Sequence, residues 1–353
     1  MTPIIDLSAD VGDVAAALID IPSESHHEAA IADAVETALR ECGHLEVRRL
    51  GNAVVAESGV PRVVIAGHLD TVPSSGNLPH RIEGDRLIGL GSVDMKGGLA
   101  VALKLAHEIT EPRLGVRYVF YDCEEVAAVH NGLARLAAED PTILEADLAI
   151  VMEPTDASVE GGCQGTLRAE VAVEGVRAHS ARSWRGRNAV HAAADILSRL
   201  AAYRPREPFV DGLQYREGLN AVGIRGGVAG NVIPDECVVT VNYRFAPDTS
   251  VPEAIEHLGE VLDGYLVTIV DEAPGARPGL DQPFVAEFVE AIGVAVQPKY
   301  GWTDVARFSQ AGTPALNYGP GDPLLAHATD ESVSLAQIAG VYENLRGWLI
   351  RRP

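Results

Sequence analysis

The chain has 353 residues, of which 47% are hydrophobic and 22% charged, enough for two domains or one core with a large insertion. That excludes a lone small module and a chain that is mainly disordered. The balance of 28 basic against 50 acidic residues gives a formal charge of −22, which opposes nucleic acid or anionic lipid as a partner.

No apolar run approaches the roughly eighteen residues that span a bilayer, so no membrane segment is expected. The opening MTPIIDLSADVGD carries acids where a secretory signal would carry a basic region and an apolar stretch. Cys42, Cys123, Cys163 and Cys237 show no CxxC spacing and are expected as buried thiols in a reducing compartment. These features together predict a cytoplasmic protein.

In chain order, the pattern predicts a helix over residues 26–42 and strands over 45–50, 53–57, 62–66, 116–121 and 148–152, with helices at 97–109 and 131–138. This alternation of β-branched runs with amphipathic stretches is the rhythm of an α/β domain. The texture changes near Gly165. A strand (168–173), a helix (188–202), two strands (220–226 and 236–245), a helix (251–262) and a strand near 265–270 follow, a βαββαβ order that reads as an inserted α+β domain. Residues 271–281, with two prolines and two glycines, read as the return linker. A helix at 284–293, a strand at 315–318 and a closing helix at 334–351 resume the first domain. The expected division is a catalytic domain of residues 1–167 and 277–353, with a central mixed sheet, around an inserted domain of residues 168–276.

Five short motifs carry chemistry. In VVIAGHLDTVP an apolar strand ends by presenting His68 and Asp70 on one face, so Asp70 can orient the imidazole for a metal, although the pair alone favours a structural histidine. In GLGSVDMKGG, Asp94 precedes a helix, either as its N-cap or as a carboxylate whose two oxygens bridge two cations. YVFYDCEE ends a strand in Glu124 and Glu125, a pair that can divide metal ligation from proton transfer, or can be solvated surface charge. Glu153 follows the strand in DLAIVMEPT, and His327 sits in the loop of PLLAHATDE. Three strand ends and one helix start thereby gather the candidate donors on one sheet edge, where open α/β sheets bind ligands.

HLDTVP, GSVDMKGG, DCEE, MEPT and AHATDE, in this order and with an insertion before the last, resemble the dinuclear zinc aminoacylase and carboxypeptidase family. The likeness extends over essentially the whole chain, including VEGVRAHSARSW, GNVIPDECVVTVNYRFAPD and GWTDVARF. It implies a zinc-hydrolase-like catalytic domain and a lid that also dimerises. The metal set it implies is His68 and Glu153 on one zinc, Glu125 and His327 on the other, with Asp94 bridging. Two Zn²⁺ per chain, replaceable by Co²⁺, would leave the site positive and receptive to an anionic substrate.

The resemblance also implies Glu124 as general base and Asp70 as the partner of His68. His179 would act as an oxyanion donor to a neighbouring subunit, and Arg177, Asn231, Arg244 and Thr303 would contact substrate. Arg182, Arg185 and Arg187 form a basic cluster that receives no role, and His130 receives none either. The reaction implied is hydrolysis of N-succinyl-LL-2,6-diaminopimelate on the route to lysine and peptidoglycan. The alternatives are a sibling N-acyl amino acid deacylase such as an acetylornithine deacetylase, a dipeptidase, or a metal- or ligand-binding protein on the same scaffold.

Overall fold

The computed structural model describes residues 3–350. The chain forms two compact units. One runs as far as Gly162 and takes in Pro278–Gln297 and the chain from Thr303 onward; the other is Cys163–Arg277 with Pro298–Trp302.

The first unit is built on an eight-stranded mixed sheet. Its order starts Glu46–Leu50, Ala53–Ser58, Gly115–Tyr121, Pro61–His68, Leu148–Val151, Ala315–Asn317. The first three are antiparallel to one another, whereas Pro61–His68 is parallel to the strands on both sides and Ala315–Asn317 is parallel to Leu148–Val151. Central parallel strands are covered on both faces and so read as unbroken apolar runs. Val63, Val64, Ile65 and Ala66 are all fully buried, as are Leu148, Ala149, Ile150 and Val151.

The helix Gly97–Glu108 crosses this sheet so closely that side chains are excluded at the contact. A Cβ on Gly98 would lie 2.3 Å from the carbonyl oxygen of Met152, and one on Gly67 would lie 2.8 Å from Leu99 Cδ2. Helices Val11–Ile19 and Leu335–Ile350 pack beside it in the same core.

The second unit is a four-stranded antiparallel sheet in the order Gly218–Gly226, Glu236–Phe245, Gly165–Glu174, Leu266–Ala273. Helices Ala189–Ala192, Ala194–Ala202 and Val251–Val261 complete the βαββαβ order, and two short strand pairs, Ala178–His179 with Val232–Ile233 and Phe209–Val210 with Leu213–Gln214, lie beside it in sequence. The Asn188 side chain accepts from the N–H groups of Val190 and His191, and Ser250 forms a reciprocal capping box with Glu253; these caps set where the helices begin.

Some expectations need correction. The helix expected over 188–202 is two helices that meet at Ala193, where ψ relaxes to −13°. The supposed linker starts late, because the edge strand runs on through Asp271 to Ala273 after a bulge near Ile269. Helix Val11–Ile19, helix Val305–Gln310 and the hairpin Arg81–Glu83 with Arg86–Ile88 are present without having been expected. The last residue of the expected closing helix, Arg351, lies outside the described residues. All four cysteines are buried, and none is in a disulfide. Among the described residues, no helix is long and apolar enough to cross a membrane.

Candidate metal centre

Strand register sets the site. His68 ends its strand opposite Tyr121, and the strand Leu148–Val151 runs parallel on the other side, so all three chains emerge on one edge. They deliver His68 from the first, Glu124 and Glu125 from the second and Glu153 from the third. Asp94 comes from the irregular turn Ser92–Lys96 ahead of the helix, and His327 from a loop in which its own φ is +63°.

His68 Nε2 lies 3.0 Å from Asp94 Oδ1, while His327 Nε2 lies 2.8 Å from Glu125 Oε1 and 3.4 Å from Asp94 Oδ2. The two oxygens of Asp94 therefore face two imidazoles. Two donor groups result, one of His68, Asp94 and Glu153 and the other of Asp94, Glu125 and His327, and within each group the ligating atoms lie within 4.8 Å of one another. One imidazole and two carboxylates per group, with Asp94 counted in both, suit a pair of divalent cations that keep positions open for water and substrate.

The imidazole orientation supports this fit. His68 Nδ1 is 3.0 Å from the carbonyl oxygen of Asp70, which fixes a proton on that nitrogen and aims Nε2 at Asp94. The carboxylate of Asp70 stands farther off, 3.5 Å from Nδ1. Its oxygens accept instead from the N–H groups of Glu124 (3.0 Å) and Glu125 (3.1 Å) and from the Ser25 hydroxyl (2.8 Å). The expected pairing with His68 is thus mainly through the backbone of Asp70, and its side chain organises the two glutamates.

Without cations, the charges lean on each other. Burial opposes a proton on His68, but Asp70 and Asp94 outweigh it and hold the ring's pKa well above its usual range. Hydrogen bonds to Asp94 and Glu125 push His327 up to about 10. Partial burial of Asp94 opposes its ionisation, yet the two histidines keep its carboxyl well below the usual range. Glu124 goes the other way: burial, together with the charges of Glu153, Asp304 and Glu125, raises its pKa well above that of an ordinary glutamate, against the pull of His68. It is half-buried and adjoins both donor groups, a combination found in proton-transfer residues.

Asp94 does not cap the helix; the residue at the cap position is Lys96. What stabilises the turn is Glu331, which the motif reading passed over although it closes AHATDE. It is buried and accepts from the N–H groups of Val93 (2.8 Å), Asp94 (3.0 Å) and Gly91 (3.1 Å). Thr303 belongs to the same unit, but its hydroxyl donates to Asn317 Oδ1 at 2.9 Å, deep inside. His130 is exposed, edge-on to His26 at 4.9 Å.

The remaining candidates lie in the second unit. His179 is exposed and its Nδ1 accepts from Ala181 N–H at 3.0 Å, so a neutral ring carries its proton on Nε2. The next residue, Ser180, donates its N–H to the carbonyl of Asn231 at 2.9 Å. Arg177 is engaged on both sides of its fork by Asp235, at 3.0 Å each. Arg244 is half-buried, and desolvation lowers its pKa despite nearby Cys163 and Asp271. Arg182, Arg185 and Arg187 are exposed.

An α/β sheet whose carboxyl edge gathers two such donor groups around one shared carboxylate defines a metallohydrolase of the dinuclear class. The chain belongs to peptidase family M20/M25/M40, whose model matches residues 64–350. It is 46% identical over 363 residues to succinyl-diaminopimelate desuccinylase of Corynebacterium glutamicum, covering 99% of this chain and 98% of that one. It is 54% identical over 351 residues to a Mycobacterium tuberculosis protein provisionally given the same name, covering 98% and 99%. A tripeptidase from Staphylococcus aureus shares the fold with a TM-score of 0.79 at 19% identity, covering 98% of both chains.

Proposed function

We propose that the chain hydrolyses the amide of N-succinyl-LL-2,6-diaminopimelate to succinate and LL-2,6-diaminopimelate, in the cytoplasm, as a homodimer. The observation that carries this reading is full-length similarity to proteins named for that reaction, in a chain that keeps a complete donor set on one sheet edge. The cations proposed are two zinc ions, one held by His68 and Glu153, the other by Glu125 and His327, with Asp94 shared. When bound they supply Lewis-acid polarisation of the amide carbonyl and lower the pKa of water.

The protein's own part falls to Glu124. As general base it takes a proton from the attacking water and later delivers it to the departing amine, whose bond to the succinyl carbonyl breaks. Asp70 keeps Glu124 and Glu125 in register through their N–H groups.

The second unit is read as a lid and dimerisation domain. His179 offers a free Nε2–H, the form required to donate to the oxyanion of the tetrahedral intermediate in the partner's site. Arg244 and Asn231 are assigned to the substrate's carboxylates, which a guanidinium fork can bind in two places. Arg177 and Thr303 are weaker members of that set, since each already has a partner.

The test is a panel of N-succinyl-diaminopimelate, N-acetylornithine and dipeptides, assayed with and without chelator. Preferential, chelator-sensitive turnover of the succinyl substrate is expected. Preference for N-acetylornithine or a dipeptide would move the assignment to a sibling activity, and no turnover of any would overturn it.

A further inference from the structure

The turn carrying Asp94 has an unusual hydrogen-bond account. Gly91 (φ +77°) and Asp94 (φ −120°, ψ +93°) lie outside helical geometry, so the turn cannot satisfy its N–H groups internally. Ser92 and Lys96 find carbonyls at Gly89 and Gly91, but the N–H groups of Gly91, Val93 and Asp94 all point to the carboxylate of Glu331. A single buried carboxylate thereby satisfies three donors, two of them fully buried, and charge-assisted bonds of this kind are the strong ones. The main chain adds to the link, because Gly89 N–H donates to the carbonyl of Glu331 at 3.0 Å. Glu331 is also four residues from His327, and the intervening chain is a tight turn in which its own N–H donates to Ala328. Directly afterwards, Ser332 enters a strand paired with Ile88, just before the Asp94 turn.

We infer that Glu331 is a positioning residue for the metal pair: it locks the loop of Asp94 to the loop of His327 and so fixes the geometry of the shared carboxylate against the second imidazole. The inference rests on the proposed assignment of Asp94 and His327 as ligands. Glu331 itself touches neither candidate cation position. It sets backbone direction, a role whose removal commonly costs about 10–100-fold in metal affinity.

The substitutions grade the effect. In Glu331→Gln the amide oxygen can still serve Val93 and Asp94, which share Oε1, while the amide nitrogen is left facing the Gly91 N–H. Glu331→Ala leaves all three donors unmet. The experiment strips wild type and both variants of metal, records the circular dichroism of each, and titrates them with Co²⁺ by visible absorption and with Zn²⁺ against a competing chelator. Both variants are expected to bind the metal pair more weakly, Glu331→Gln by about tenfold and Glu331→Ala by more, with altered Co²⁺ bands in a folded chain. Should Glu331→Ala fail to fold, Glu331→Gln decides. Wild-type affinity and an unchanged Co²⁺ spectrum in folded Glu331→Gln would overturn the positioning role and leave the ligand assignment standing. A wild-type chain that takes up no metal would overturn both.

Discussion

Metal binding should expel protons, and the number follows from the site. In the metal-free chain His327 Nε2 sits 2.8 Å from Glu125 and 3.4 Å from Asp94, which lifts its pKa from 6.5 to about 10. His68 is likewise held protonated between Asp70 and Asp94. At neutral pH the two imidazolium rings therefore occupy the electrostatic role of the cations, and each must surrender its Nε2 proton before it can ligate. Saturation at pH 7 should release about two protons per chain. Affinity at the His327 site should rise about tenfold per pH unit and level off near pH 10. The same shift bears on stability. A folded pKa above the unfolded 6.5 stabilises the metal-free chain fully below that value, and the gain is lost as pH climbs through about 10. The melting point of the metal-free chain should therefore fall from pH 7 to 10 more than that of the loaded chain. Calorimetric titration of chelator-stripped protein with Zn²⁺, in buffers of different ionisation enthalpy, counts the protons. A release near zero, or an affinity flat between pH 7 and 9, would refute the reading of these rings as protonated placeholders.

Three other outcomes are expected. Glu124→Gln should retain both metals while kcat falls by about 10²–10⁴, since an amide cannot accept the water's proton, whereas Glu125→Gln should lose metal; elemental analysis beside kinetics separates the two, and the opposite pattern would exchange their roles. Gly98→Ala should destabilise the first unit by about 1–3 kcal/mol in urea unfolding, because its Cβ would meet the Met152 carbonyl at 2.3 Å, and a neutral result would mean that helix and strand can move apart. Inactive His179→Ala and inactive Glu124→Gln subunits, mixed under exchange conditions, should regain about half of the wild-type activity per heterodimer if His179 serves the partner's site; verified heterodimers with no activity would place His179 in its own subunit's reaction.

The site was legible to the extent that strands dictate it. Apolar runs that end in HLD, EE and EP can be read directly, and parallel pairing of buried strands brings their ends to one edge whatever the loops do. Asp94 was harder, because an acid ahead of a helix is the commonest capping pattern, and only the partners of the turn's N–H groups reveal that Glu331 holds the turn in place. Asp70 shows another limit. Strand alternation puts it on the face of His68, but the strand stops at His68, and the turn that follows sends its carboxylate to the backbone of Glu124 and Glu125. Helix Val11–Ile19 escaped because VGDVAAALI is apolar on nearly every side, buries six of its residues and has no side-chain cap, so neither periodicity nor end signals mark it. Arg177 looked free to bind an anion only because its partner, Asp235, is 58 residues away in sequence.

Asp70 and Glu331 explain how so many acids can stand together before any cation arrives. Asp94, Glu124, Glu125 and Glu153 converge in or near the two donor groups, and such like charges in a poorly hydrated place repel one another. Protonated His68 and His327 offset part of this. The two remaining carboxylates are placed where they accept five backbone N–H bonds and the Ser25 hydroxyl, and in doing so they hold the segments that carry Asp94, Glu124 and Glu125. The same two carboxylates thus tie down the backbone around the proposed ligands through groups that would not themselves face a cation.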